Sequence, residues 1–223
     1  MIMARLQNFD ELNTLSFDDY FGTMSGITSK QKKQRVALAE AFVDILLYAF
    51  SLAEEMFSAG STDAVIESEL WDYLDAEFLG AIPDDILYLY LQGSIGEVEK
   101  MPVDPTIKSH ISLITSSIAA TTIATLGGYY ATSYERAFEI ATSESQGICN
   151  YADFVEASKA GKRYKVWLSE MDERTRLAHW KANGQKVKIN DHFIVGGEAM
   201  KYPHDLNASA ENTVNCRCFV RYE

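Results

Sequence analysis

The feature that most constrains this chain is an uninterrupted apolar stripe at helical spacing. Val36, Ala39, Phe42, Val43, Leu46, Leu47, Phe50, Ala53 and Phe57 recur three and four residues apart, which places them on one side of a helix. Thr28 and Ser29 offer a side-chain cap at its start and Gly60 a stop at its end. A helix of that length needs other helices to cover its stripe, so the first part of the chain is expected to be a helix bundle. Ser61 or Thr62 opens a second helix, with Val65, Leu70, Trp71, Leu74 and Phe78 facing inward. Pro83 opens a third through Tyr88, Leu91 and Ile95. Pro102 and Pro105 mark a connection, and a weakly polar run from Thr106 to Ser145, broken at Gly127-Gly128, supplies small residues suited to close helix packing.

Past residue 160 the texture changes. Tyr164 to Leu168 alternates like a strand, as do Gln185–Ile189, Phe193–Val195 and Arg217–Tyr222, with turn residues between. Asp172 to Asn183 reads as a short helix, with Asp172 as N-cap and Gly184 as stop. The fold class is therefore α+β: a mostly helical N-terminal part with a long helix, then a small α+β module. The expected divisions are an irregular N-terminal arm over 1–27, anchored by Phe9, Leu12, Leu15, Phe17, Tyr20 and Phe21, an acidic helical domain over 28–160, and the module over 161–223.

Charge follows the same boundary. Residues 1–160 carry 9 Lys and Arg against 24 Asp and Glu, whereas residues 161–223 carry 11 against 8, within a net charge of −12. The acidic body argues against nucleic-acid binding by that part. The mildly basic module, with Arg174, Arg176, Lys181, Lys186 and Lys188, leaves open a solvated face, an acidic partner, or packaged nucleic acid. Three cysteines, Cys149, Cys216 and Cys218, make no disulfide framework, and no N-terminal secretion signal is read. No run of 18 uninterrupted apolar residues is present, so no membrane partner is expected.

The chemistry-bearing residues gather late. On a continuous helix, Asp172, Arg176 and His179 would share one face, and Asp172 would pair with Arg176. In a strand, Cys216 and Cys218 point to the same side and can meet one partner. His179, Cys216 and Cys218 are three plausible zinc ligands, with Asp172, His192 or His204 as a fourth. A Cys–His nucleophilic pair is present in name, without a glycine-rich oxyanion loop. Spacing leaves open a metal site, a self-satisfied polar knot or a nucleic-acid contact.

The run Lys165-Val166-Trp167-Leu168-Ser169, then Asp172-Glu173-Arg174-Thr175-Arg176, His179 and Asn183-Gly184 resembles the C-terminal signature of phage minor head proteins of the Mu F type. Phe193-Ile194-Val195-Gly196-Gly197, Met200-Lys201-Tyr202-Pro203 and Asn215-Cys216-Arg217-Cys218 follow in the same order, and the resemblance spans residues 135–223. It implies a non-enzymatic virion component at the portal vertex of the phage head, made in the host cytoplasm and acting in head morphogenesis, DNA packaging or ejection. The implied partners are the portal protein, the major capsid or scaffold protein, and packaged DNA through the module. Related domains occur fused to toxins in other chains, so the rival reading is a nuclease or thiol-hydrolase using His179 with Cys216 or Cys218; a zinc-stabilised adaptor is a third. Some relatives carry Cys-x-x-Cys where this chain has Arg176 and His179, so their four-thiol site is not intact here. The expectation is a metal-free polar cluster of Asp172, Arg174, Arg176, His179, Asn215, Cys216, Arg217 and Cys218, with no catalytic residue and no cofactor. Zinc on His179, Cys216 and Cys218 is the alternative.

Overall fold

A computed structural model describes residues 16–24, 26–82, 105–205 and 207–223. The expected anchors Phe9, Leu12 and Leu15 and the helix expected from Pro83 lie outside these. Within the expected irregular arm, Phe17–Gly22 instead form a short helix, α1. The local cause is a capping box: Ser16 Oγ accepts from the Asp19 amide at 3.2 Å, and the Asp19 carboxylate accepts from the Ser16 amide at 3.3 Å. The tertiary cause is Phe17, stacked on Phe138 with ring centroids 4.5 Å apart.

Helix α2, Ser29–Ser58, starts at Thr28 with a second capping box, to Gln31. It stops as the sequence indicates. Gly60 takes φ 81°, and the Ser61 and Gly60 amides donate back to Met56 and Phe57 carbonyls, both at 3.0 Å. The stripe is buried except at its flanks, where Leu47 is partly covered and Phe57 is exposed. By length and mean hydropathy α2 is apolar enough to cross a membrane. Glu40 and Asp44 break its apolar residues into runs shorter than a span. In the structure its stripe is taken up by α3, Asp63–Ala81, and by α5, Tyr134–Lys159. Ile66, Leu70, Leu74 and Phe78 form the inward row of α3, with Phe78 stacked on Phe42 at 4.1 Å. Val65 and Trp71, expected inside, are 49% and 40% exposed, because the true row repeats every four residues and excludes both.

The small-residue run forms α4, Pro105–Thr125, then a 3-10 turn over Tyr129–Thr132 and α5. Gly127 at φ 92° makes the break. Buried Arg136 ties the pieces together, donating to Thr122 Oγ1, Thr121 Oγ1 and the Ala131 carbonyl, with its guanidinium 4.8 Å from the centre of the Phe50 ring.

The C-terminal module is a three-stranded antiparallel sheet in the order β2–β1–β5 (Lys186–Lys188, Tyr164–Leu168, Phe219–Tyr222), plus a hairpin of β3, Phe193–Val195, and β4, Glu198–Met200. Gly196 and Gly197, at φ 60° and 89°, form the hairpin turn. Short helices α6, Leu177–Ala182, and α7, Ala210–Thr213, complete it. Trp167, Ala182, Phe193, Val195, Met200, Cys216 and Cys218 make a core distinct from the helical one. Phe219 turns the other way, into the helical core, above Gly26, where an added Cβ would fall 1.6 Å from the Phe219 ring. Adjacent residues at the start of one strand thus enter two cores.

Candidate functional site: a buried Cys–His knot

Strand β1 carries Trp167 and leads to Ser169; α6 carries His179; the segment entering β5 carries both late cysteines. Their side chains converge. His179 Nδ1 lies 3.2 Å from Cys218 Sγ and 3.5 Å from Cys216 Sγ. Ser169 Oγ lies 3.3 Å from Cys218 Sγ, donates to the His179 carbonyl at 2.9 Å and accepts from Trp167 Nε1 at 3.2 Å. The Cys218 amide faces Cys216 Sγ at 3.5 Å. His179 packs edge-on to Trp167, with ring centroids 5.9 Å apart.

Electrostatics divide the two thiols. Burial pushes the Cys216 thiol well up, and its bond to Cys218 adds to this. Burial also acts against a Cys218 thiolate, but hydrogen bonds from Cys216, His179 and Ser169 together outweigh it and hold Cys218 below the usual thiol range. Both sulfurs lie beside an imidazole whose Nδ1 faces them. His179 Nε2 is buried without a hydrogen-bond partner among the described residues. Next to the sulfurs the cavity is only about 10 Å³, room for about one water.

The knot is fixed to the helical part through backbone carbonyls. Gln146 Nε2 donates to the Cys218 carbonyl at 3.0 Å; Asn150 Nδ2 reaches the same carbonyl at 3.4 Å and that of Pro203 at 3.3 Å. Behind them sits Arg35, fully buried, donating to Gln146 Oε1 at 2.6 Å, Asn150 Oδ1 at 3.0 Å and Asp153 Oδ2 at 2.9 Å. His204 Nε2 bonds the Cys216 carbonyl at 2.7 Å, so that nitrogen carries the proton. Burial lowers the His204 pKa to about 4, against the pull of that bond. Its Cβ stands 3.1 Å from where a side chain on Gly147 would begin, so the glycine permits this approach.

The remaining expected residues are distributed differently from the sequence reading. Asp172 is not in a helix with His179: α6 begins five residues later, after Arg176. Asp172 instead closes a turn, accepting from the Arg174 amide and Thr175 Oγ1. Its ion-pair partner is Arg217, at 2.5 and 2.6 Å, and not Arg176. Arg176 donates to the Val214 carbonyl. Arg174 is exposed, with Nε 3.9 Å from Asp172. Asn215 sits at the rim with φ 54° and its amide on Ser143 Oγ. Of the suggested fourth ligands, His192 is exposed, His204 is engaged with Cys216 and Asp172 with Arg217.

The donor set suits zinc in type and spacing, since one ligand atom from each of His179, Cys216 and Cys218 lies within 4.8 Å of the others. It stops at three among the described residues, and His179 Nε2 lacks the outer partner that usually orients a metal-bound imidazole. A bound metal would need a water or an undescribed group to complete four-coordination.

Ser169, Gln146 and Arg35 were not anticipated as parts of this arrangement, and His204, expected only as a possible ligand, instead holds the Cys216 carbonyl. Gln146, Asn150 and Asp153 follow i, i+4, i+7 spacing, and Arg35 is the last cation of a Lys30–Arg35 run, next to the apolar stripe; together these were the available signal.

Ninety residues are 32% identical to an NAD(+)–arginine ADP-ribosyltransferase of Enterococcus faecalis, a segment that is 39% of this chain and 18% of that protein. The chain therefore spans under a fifth of that relative's length. No solved structure matches. The sequence profile described as Phage Mu protein F like protein matches residues 105–221, from α4 through the knot to the last strand, and the chain belongs to that family.

Proposed function

We propose that this protein is a non-enzymatic component of the phage virion, acting in head morphogenesis from the portal vertex. Family membership is the observation that carries this reading. The knot supports it: the Cys–His pair is buried beside a cavity of about 10 Å³, which suits a cross-link and not a nucleophile awaiting a substrate. In this reading the thiols, His179 and Ser169 hold the module's closing strand, while Arg35, Gln146 and Asn150 fasten the module to the helical part. Exposed aromatic and apolar side chains at Tyr48, Phe57 and Trp71 on the helices offer contact surface for portal subunits. The test is co-purification with portal subunits on coexpression, with capsid and scaffold proteins as comparison. Stable association with portal is expected; recovery of the protein free of portal and of assembled heads would overturn the reading.

A second reading, a zinc-stabilised adaptor, is favoured by the three donors converging within 4.8 Å. Metal analysis of protein purified with and without chelator separates the two. About one zinc per chain, lost together with stability on chelation, would replace the metal-free cross-link.

A further inference from the structure

Beside the knot, on the side facing α1 and α5, lies a second cavity of about 280 Å³ whose lining brings together Arg174, Arg176 and Arg217. The chain as a whole carries −12, so three guanidiniums around one recess oppose the general field of the molecule. Carboxylates stand at its edges. Asp172 takes one terminal nitrogen of Arg217 with both its oxygens. Glu139, in the lining itself, accepts from the Tyr130 hydroxyl at 2.5 Å. Glu170 lies with the same three arginines around the adjoining small cavity.

Arg217 bonds Asp172 through that one nitrogen, Arg176 donates to the Val214 carbonyl, and Arg174 stands 3.9 Å from Asp172. Guanidiniums present planar forks of N–H groups whose geometry matches oxyanions. Asn215, exposed at the rim, and the Tyr20 hydroxyl add neutral donors. The arginines are also held in place: α6 begins directly after Arg176, and Arg217 is clamped by Asp172 in the segment that carries the knot. Burial raises Tyr20 to about 12 while the charges of Arg217 and Arg174 act in the opposite direction, so their field reaches across the recess.

We propose that this recess binds a phosphate-class oxyanion between Arg174, Arg176 and Arg217. The shared chemistry is the tetrahedral phosphate group, free or on a nucleotide in one case and part of a DNA strand in the other. The recessed shape and the acidic body favour the compact anion, because a duplex would bring its whole charge array against the −12 chain. The inference is independent of the head role.

The test is calorimetric titration of the whole protein with inorganic phosphate, pyrophosphate and a short DNA duplex, at ionic strength held constant with chloride. Wild type is compared with Arg174→Ala, Arg174→Glu and Arg163→Glu. Arg174 and Arg163 are both exposed, so neither change should disturb folding, and Arg163 reports the general charge effect. Saturable phosphate or pyrophosphate binding is expected, weakened about tenfold or more in both Arg174 variants, the size of one hydrogen bond to a charged group, and retained in Arg163→Glu. Duplex binding with the same Arg174 dependence would assign the phosphate to DNA; phosphate binding without duplex binding would assign it to a free or nucleotide anion. Absence of saturable binding by all three probes, or equal weakening in Arg163→Glu and Arg174→Glu, overturns the proposal.

Discussion

Removing the Arg35 guanidinium should cost a large part of the chain's stability. Arg35 is fully buried and its ion-pair partner Asp153 has only 16% of its side chain exposed. Arg35→Met keeps the stem's packing on the helical core but removes the donor from four acceptors, on Asp153, Gln146, Asn150 and the Gln31 carbonyl. Breaking a buried pair by removing one partner costs about 3–5 kcal/mol, and the two stranded amide oxygens bring the sum toward the upper part of that range. Arg35→Lys retains charge but not the fork that spans Gln146 and Asn150, so an intermediate loss of about 1–3 kcal/mol is expected. The assay is equilibrium urea denaturation, following the midpoint at unchanged slope. The double variant Arg35→Met/Asp153→Leu should lose less than the sum of its single changes, because no unpaired carboxylate remains. Because Gln146 and Asn150 also hold the Cys218 carbonyl, Arg35→Met should expose Cys218 to alkylation at denaturant concentrations where wild type is protected. A loss below about 1 kcal/mol in Arg35→Met, with Cys218 protection unchanged, would refute the view that this cluster fastens the module to the helices.

Three further outcomes follow from the geometry. His204 is held neutral with a pKa near 4, so the unfolded chain takes up a proton that the folded chain refuses as pH falls below about 6.5; stability attributable to His204 is present above that pH and lost toward pH 4, by on the order of 3 kcal/mol. Glu144 acts in reverse: burial raises its carboxyl to about 7, so its contribution is present below about pH 4.5 and lost as pH rises through 7. Melting curves for His204→Gln and Glu144→Gln between pH 4 and 8 should remove the two opposite slopes separately; a common profile in all three proteins contradicts both assignments. Gly26→Ala should destabilise by about 1–3 kcal/mol because its Cβ overlaps the Phe219 ring, whereas Gly80→Ala, in open space within α3, should be neutral or stabilise by up to about 1 kcal/mol; thermal denaturation distinguishes them, and equal effects would refute the packing at Gly26. Finally, all three thiols are buried, so a thiol reagent should modify native protein at the rate of unfolding; prompt modification of Cys218 under native conditions would contradict the sealed knot.

What could be read from the sequence depended on the range of the interaction. The α2 stripe, its Thr28 cap and its Gly60 stop are local, and the structure contains all three. The strands at Tyr164–Leu168 and near Phe219 were legible by alternation. The α3 face was misassigned at Val65 and Trp71 because hydrophobicity alone does not reveal which of two overlapping rows meets Phe42. Asp172 was misassigned because a helix starting there and a turn closed by the same carboxylate share a sequence pattern. Only the tertiary position of Arg217 distinguishes them. The grouping of His179 with Cys216 and Cys218 could be proposed from spacing and family likeness, but its fastening to Gln146, Asn150 and Arg35 joins residues separated by 68 to 115 positions. No periodicity spans that distance.

The central claim is that this chain is a structural part of the phage head. The most direct measurement is the composition of purified, assembled particles, by quantitative mass spectrometry together with a density map of the portal vertex. The account predicts that the chain is recovered in intact heads, at far lower copy number than the major capsid protein, with density against the portal. Particles that assemble, package DNA and contain no copy of the chain would contradict it.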